Sequence, residues 1–273
     1  MEKKFEKNTF EKRLTSMLKV DFRRFFTQPL YYIMVGIAFV VPILILVMTT
    51  MMDGTTTTNP HSGVETTIEG FKNVWQIISS ASASGSGEQA AMAMDITSMC
   101  NMNLMYFAVS VIVCLFVSDD FRSGYAKNLF TVRAKKSDYV ISKTLVCFVG
   151  GASMILAFFV GALLGGGVSG ISFDLASVGS SVLGIIMCLI TKITLIPIFV
   201  SIFLVMSVIA KQRAWLSILL SLGVGMFLFM MIPIMTPLDA TVIHVVMCVA
   251  GAALFSIGLG VVSNKILEKT NLL

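Results

Sequence analysis

Charge is what this sequence has least of. Only 13% of its 273 residues are Asp, Glu, Lys or Arg, while 56% are hydrophobic. A soluble domain usually carries roughly a quarter charged residues, because its surface faces water. So few charges cannot cover a globular surface, and lipid is the expected solvent for most of the chain. Histidine is nearly missing: His61 and His244 have no metal-ligand partner at helical spacing, and no zinc site is legible. The cysteines Cys100, Cys114, Cys147, Cys188 and Cys248 all fall in apolar runs, none in a CxxC or Cys/His ligand spacing. They read as small buried hydrophobes. The apolar runs also lack the Glu/His clusters, Asp pairs or Ser/His sets that an intramembrane protease needs. The net charge of +5 invites a nucleic-acid reading, but the cations sit beside the apolar runs, where they meet anionic lipid head groups and set topology.

What the chain has in abundance is long apolar stretches, at 30–52, 98–118, 144–168, 178–210, 214–235 and 242–262. Crossing ~30 Å of hydrocarbon takes about 20 helical residues. In lipid only helices or closed barrels satisfy the backbone, and these runs lack strand alternation. The expectation is an all-α polytopic membrane protein, a single domain with six transmembrane helices. The fourth run exceeds one crossing, so it is tilted or begins at the outer surface.

Lysine and arginine fix the orientation. Residues 1–29 hold eight, residues 119–143 hold six, and Lys211, Arg213, Lys265 and Lys269 complete one side. The other side holds only Lys72. Both termini and the 119–143 hairpin are therefore expected in the cytoplasm. The first run is longer than a signal-peptide core and lacks a cleavage pattern, so it is expected to remain as a span. The 53–97 loop is rich in Thr, Ser and Gly. Its centre, IEGFKNVWQII, reads either as a short helix on the outer membrane surface, through Phe71, Trp75 and Ile78, or as an irregular loop.

On a helical wheel, residues 10–26 divide in two. Phe10, Leu14, Met17, Leu18, Phe22, Phe25 and Phe26 share one half; Lys12, Arg13, Lys19, Arg23 and Arg24 share the other. Glu11 and Asp21 intrude on the apolar half. The expectation is an interfacial amphipathic helix over 10–28, turned by Pro29; the competing reading is a solvated basic tail. The hairpin DDFRSGYAKNLFTVRAKKSDYVISK is too polar for lipid. Within it Phe121, Tyr125, Leu129 and Val132 recur at steps of four and three, which predicts a short helix. If exposed, that stripe implies a protein partner; otherwise the helix folds back onto the membrane face.

The run of an acid, Gly124, Lys127-Asn128, Arg133, Tyr139 and Ser142-Lys143 resembles permease subunits of type-2 ATP-binding-cassette (ABC) exporters. The resemblance implies six spans after an interfacial helix, and a coupling helix between spans two and three that docks on the ATPase. It assigns Asp120, Gly124, Lys127, Asn128 and Arg133 to the ATPase-docking segment, to which the aromatic stripe and its flanking cation add Phe121, Arg122, Tyr125 and Leu129. Two decoys fail. Gly165, Gly167 and Gly170 match G-x-G-x-x-G but end an apolar run instead of following a strand. Ser142-Lys143-Thr144 resembles the end of a phosphate loop without its glycines. ATP and magnesium therefore belong to a partner ATPase, and no cofactor is expected in this chain. Gly161 and Gly165 form a G-x-x-x-G pair suited to close helix contact.

Lys192 is the only ionisable residue deep in a run, at a cost of about 2.5 kcal/mol or more by insertion scales. It either snorkels to the outer interface or lines a substrate cavity, which Pro197 would widen. The expected function is the membrane subunit of an ABC exporter in a bacterial plasma membrane. It would pair with a second permease subunit, cytoplasmic ABC ATPase subunits and anionic lipid, and move an amphipathic peptide, antibiotic or lipid-like compound outward. An ion- or proton-coupled secondary transporter and a non-transporting sensor or immunity protein are the alternatives.

Overall fold

A computed structural model describes residues 2–58, 65–67, 70–79, 100–132, 135–229 and 232–269. Helix α1 (Glu2–Thr27) contains neither Pro nor Gly and stops before Pro29, which biases its predecessor away from helical geometry. Gln28 is indeed extended, at φ −72° and ψ 128°. Pro29 then opens α2 (Pro29–Met52), where its fixed φ suits the first helical position. Beyond α2, β1 (Thr56–Thr58) pairs antiparallel with β2 (Glu65–Thr67). A 3-10 turn at Met102–Leu104 leads into α3 (Met105–Arg122), followed by α4 (Tyr125–Val132) and α5 (Lys136–Ser169). The chain continues through α6 (Val182–Ala210), α7 (Ala214–Phe229), α8 (Ile232–Met235) and α9 (Val242–Lys269).

Among the described residues, five helices are long and apolar enough to cross a membrane: α2, the 102–122 unit ending in α3, α5, α6 and α9. The sixth expected span, 214–235, is described as α7, of 16 residues, and the four-residue α8, with residues 230–231 between them outside the described residues. The fourth run also resolves locally. A 3-10 turn spans Ala176–Val178, and α6 starts only after Ser181, whose hydroxyl caps the Gly184 amide at 3.1 Å.

The bundle centre is formed by the 102–122 unit and α6, each 67% buried across its apolar stretch, whereas α9 is 11% buried and leaves most of its side chains exposed. Helix α2 lies against α5 through the G-x-x-x-G pair. A side chain on Gly161 would strike the Phe39 carbonyl oxygen, and one on Gly165 would come within 2.9 Å of Ile43 Cα. Close backbone contact of this kind drives helix association in lipid, where burial of apolar area supplies little.

The described centre of the 53–97 loop forms one 3-10 turn, Val74–Ile77, capped by Asn73. It packs on the protein, with Phe71, Val74, Ile77 and Ile78 buried, and does not lie on the membrane surface through those residues. Asn73 Nδ2 donates to the Asp174 carbonyl at 2.5 Å and to Ser177 Oγ at 2.8 Å, and Trp75 Nε1 donates to the Phe173 carbonyl at 3.0 Å. The turn is thereby clamped to the link between α5 and α6.

Candidate functional site

The cations and acids that flank the apolar runs converge at one end of the bundle. On α1, Arg13, Met17, Asp21 and Phe25 recur every four residues, so they share a face; Met17, Asp21 and Phe25 are buried against the protein. Asp21, the acid that interrupts the apolar half of the wheel, is fully buried. Its carboxylate accepts from Ser142 Oγ at 2.6 Å and from Lys143 Nζ at 3.0 Å. Lys143 Nζ lies 2.6 Å from Asp120 Oδ2 as well. Asp120 also accepts from the Tyr139 hydroxyl at 3.0 Å and from Arg24 Nη1 at 2.8 Å. Two carboxylates thus face two cations, and the cluster is neutral.

Neutrality decides whether such a cluster can exist in a dry setting. Leaving a buried charge unpaired is strongly unfavourable, whereas a matched and hydrogen-bonded set roughly offsets its own desolvation. Aromatic faces supply the remaining coordination. Lys143 Nζ sits 3.8 Å from the centroid of Phe116, and the Arg24 guanidinium 4.0 Å from that of Tyr125. Burial opposes the Arg24 charge, yet the charge and hydrogen bond of Asp120 more than compensate, and its pKa rises above the ordinary value. Burial, followed by the Asp21 carboxylate, pushes the Tyr125 phenol up, so the ring beneath Arg24 stays neutral. A second tie joins the same helices, with Arg13 Nε 3.2 Å from Asp138 Oδ2.

Helix α4 rests on this cluster. Gly124, at φ +74°, turns the chain between α3 and α4 in a conformation that side chains rarely adopt. Ala126 is buried, Tyr125, Leu129 and Phe130 are half-buried, and Phe130 meets Tyr139 edge-on at 5.5 Å. The aromatic stripe is therefore not an exposed surface. Phe121, Tyr125 and Leu129 face the bundle, drawn in by Arg24 and the apolar core. The side chain of Val132 and the whole of Arg133 lie outside the described residues. Of the segment assigned to ATPase docking, Asp120 and Phe121 are internal, Tyr125, Leu129 and Gly124 intermediate, and Arg122, Lys127 and Asn128 exposed.

The cluster's other members, Asp21, Arg24, Tyr139 and Lys143, are missing from that assignment. Asp21 was marked in the sequence by its place on an apolar face. Lys143 stood at the foot of an apolar run, in the decoy Ser142-Lys143-Thr144.

Lys192 occupies a separate place, at the opposite end of α5 and α6. Its side chain is fully buried and does not snorkel to an interface. Nζ donates to Asn103 Oδ1 at 2.7 Å and to Thr236 Oγ1 at 3.0 Å. The Tyr106 hydroxyl donates to the Lys192 carbonyl at 2.8 Å. Among the described residues no carboxylate pairs with it. Asn103 Nδ2 beside it is buried with no hydrogen-bond partner.

A family model described as ABC-2 family transporter protein matches residues 18–228. No curated protein and no solved structure matches the chain. The matched stretch covers most of the 273 residues and takes in Asp21, Asp120, the α4 hairpin, Lys143 and Lys192. The chain is a membrane transport subunit that belongs to the ABC-2 family of transporter proteins.

Proposed function

We propose that this permease is the membrane half of an exporter, worked by a separate cytoplasmic ATPase that docks on the exposed side of α4. The observation that carries the reading is the neutral cluster of Asp21, Arg24, Asp120 and Lys143. It ties α1, α3 and α5 together directly beneath α4, so a push on α4 acts on several helices at once. The docking face consists of Lys127 and Asn128, which are exposed on α4, with Gly124 at its start. Asp120, Phe121, Tyr125 and Leu129 hold that face in position from within. ATP binding and hydrolysis would then favour different packings of the bundle, since a ligand shifts a conformational equilibrium only by its differential affinity for the two states.

In this reading α7 completes a sixth crossing together with α8, α1 lies in the cytoplasmic interface, and both termini are cytoplasmic. A second permease subunit closes the route. The cargo is an amphipathic peptide, antibiotic or lipid-like compound, and Lys192 offers it a positive charge toward the outer end of the route. The test is co-purification of the ATPase from detergent extracts. Lys127→Glu combined with Asn128→Ala should weaken association about tenfold, equivalent to ~1.4 kcal/mol, with expression unchanged. Undiminished recovery of the ATPase would place the docking surface elsewhere.

A further inference from the structure

A cleft of about 330 Å³ opens beside the ion cluster, where the α1–α2 junction, the last two turns of α3 and the link from α6 to α7 meet. Four of its lining residues come from one stripe of α3. Leu115, Ser118, Asp119 and Arg122 are spaced at i, i+3, i+4 and i+7 and so share a helix face. The stripe is graded, apolar at Leu115 and charged at Arg122, and Pro29 adds a second apolar wall. We propose that this cleft binds the headgroup of a zwitterionic phospholipid with a primary ammonium, its phosphate on Arg122 and Ser118, its ammonium on Asp119.

Three observations converge on that chemistry. Ser118 is 3% exposed and its hydroxyl has no hydrogen-bond partner, a donor held in a dry wall with nothing to bind. Arg122 is exposed, and among the described residues no carboxylate lies within ion-pairing distance. A guanidinium and a hydroxyl four residues apart suit a phosphate, which accepts several charge-assisted bonds at once. Asp119 reaches Arg24 only at 4.0 Å, beyond hydrogen-bond length, and its side chain remains 52% exposed. It can therefore accept from an ammonium a few bonds away from the phosphate.

Size agrees with this choice. The volume lies at the lower end of small-molecule pockets, right for a headgroup and too small for a folded peptide. The apolar walls leave the acyl chains a path along Leu115 and Pro29 into the bilayer. Phosphatidylcholine offers no N–H donor to Asp119, and phosphatidylglycerol offers no cation.

The inference rests on the membrane placement of the chain and not on the ATPase partner, so the permease alone suffices for the test. The full-length protein would be reconstituted in vesicles of phosphatidylethanolamine and phosphatidylglycerol, extracted in mild detergent, and its retained lipid measured by native mass spectrometry. The parent should keep phosphatidylethanolamine in preference to phosphatidylglycerol, and to phosphatidylcholine in matched vesicles. Arg122→Gln and Asp119→Asn should each lower that retention about tenfold, and Lys269→Gln, on an exposed cation that does not line the cleft, should leave it unchanged. Equal retention by parent and Arg122→Gln overturns the site. Displacement of the lipid by soluble phosphoethanolamine at matching concentration overturns the lipid as its source. Loss of retention in Lys269→Gln as well reduces the effect to net charge and also overturns the proposal. Loss of ATPase co-purification would leave these results untouched and bear only on the exporter reading.

Discussion

Replacing Lys143 by Met removes one of two cations from a cluster with two carboxylates, and the structure sets how much should follow. Asp120 would retain Arg24 at 2.8 Å and the Tyr139 hydroxyl at 3.0 Å. Asp21 would retain only the Ser142 hydroxyl at 2.6 Å. Both side chains are fully buried, so solvent screens little of the loss. Breaking a buried pair by removing one partner costs about 3–5 kcal/mol. At roughly 2–4 °C per kcal/mol for a chain of this size class, the apparent melting temperature should fall by about 10 °C. The double variant Asp21→Asn with Lys143→Met restores neutrality and should recover more than half of that fall. The single change Asp21→Asn leaves Lys143 paired with Asp120 and should rank between the two. Melting would be followed by fluorescence-detected size exclusion in one detergent throughout. The reasoning fails if Lys143→Met melts within about 2 °C of the parent, or if the double variant is the less stable of the two, because the charges would then not be coupled as the distances require.

Gly161→Leu should weaken the α2–α5 contact by roughly 2 kcal/mol through overpacking, because even a Cβ meets the Phe39 carbonyl oxygen; lower melting with unchanged membrane insertion is the expected result. Lys192→Met keeps the side chain's length and removes its charge, and on the cargo-route reading transport falls while melting holds or rises, since a buried cation without a carboxylate partner is itself unfavourable. Transport equal to the parent's would remove Lys192 from the route. A cysteine at Ala176, in a background without native cysteines, should react with an impermeant reagent in intact cells, and one at Lys127 should not; the reverse pattern would invert the bundle.

Long apolar runs announce helices because lipid leaves the backbone no alternative. Hydropathy is blind to local breaks, however, and so 178–210 reads as one run although Gly179 is left-handed and α6 begins only at Val182. Helical spacing at Phe121, Tyr125 and Leu129 identifies a face without saying what the face meets. That was decided by Arg24, which lies some hundred positions away in the chain. Asp21 is conspicuous locally, but its partner Lys143 stands 122 residues further on, a separation that periodicity cannot bridge. Lys192 misled for a related reason. A search for a carboxylate partner overlooks Asn103 and Thr236, neutral residues that look ordinary in a sequence and here accept both bonds. The family, by contrast, was legible from the hairpin, whose residue order survives whichever way its side chains turn.

A rigid tilt of α5 about its contact with α2 would make the helix a lever with unequal arms. Its 34 residues make a rod of about 51 Å. Its backbone comes close to another helix at Gly161, against the Phe39 carbonyl of α2, and a pivot there is off-centre. From Gly161 the arm toward Lys136 is about 37 Å and the arm toward Ser169 about 12 Å, counting 1.5 Å per residue. On the short side Gly166 packs against Val74 of the capped turn, about 8 Å along the helix from Gly161. A swing of about 3 Å at the Lys136 end would therefore reach that turn as roughly 0.6 Å, with the force multiplied about fivefold. Such gearing converts a large, weak displacement at one end of the helix into a small, forceful one at the other.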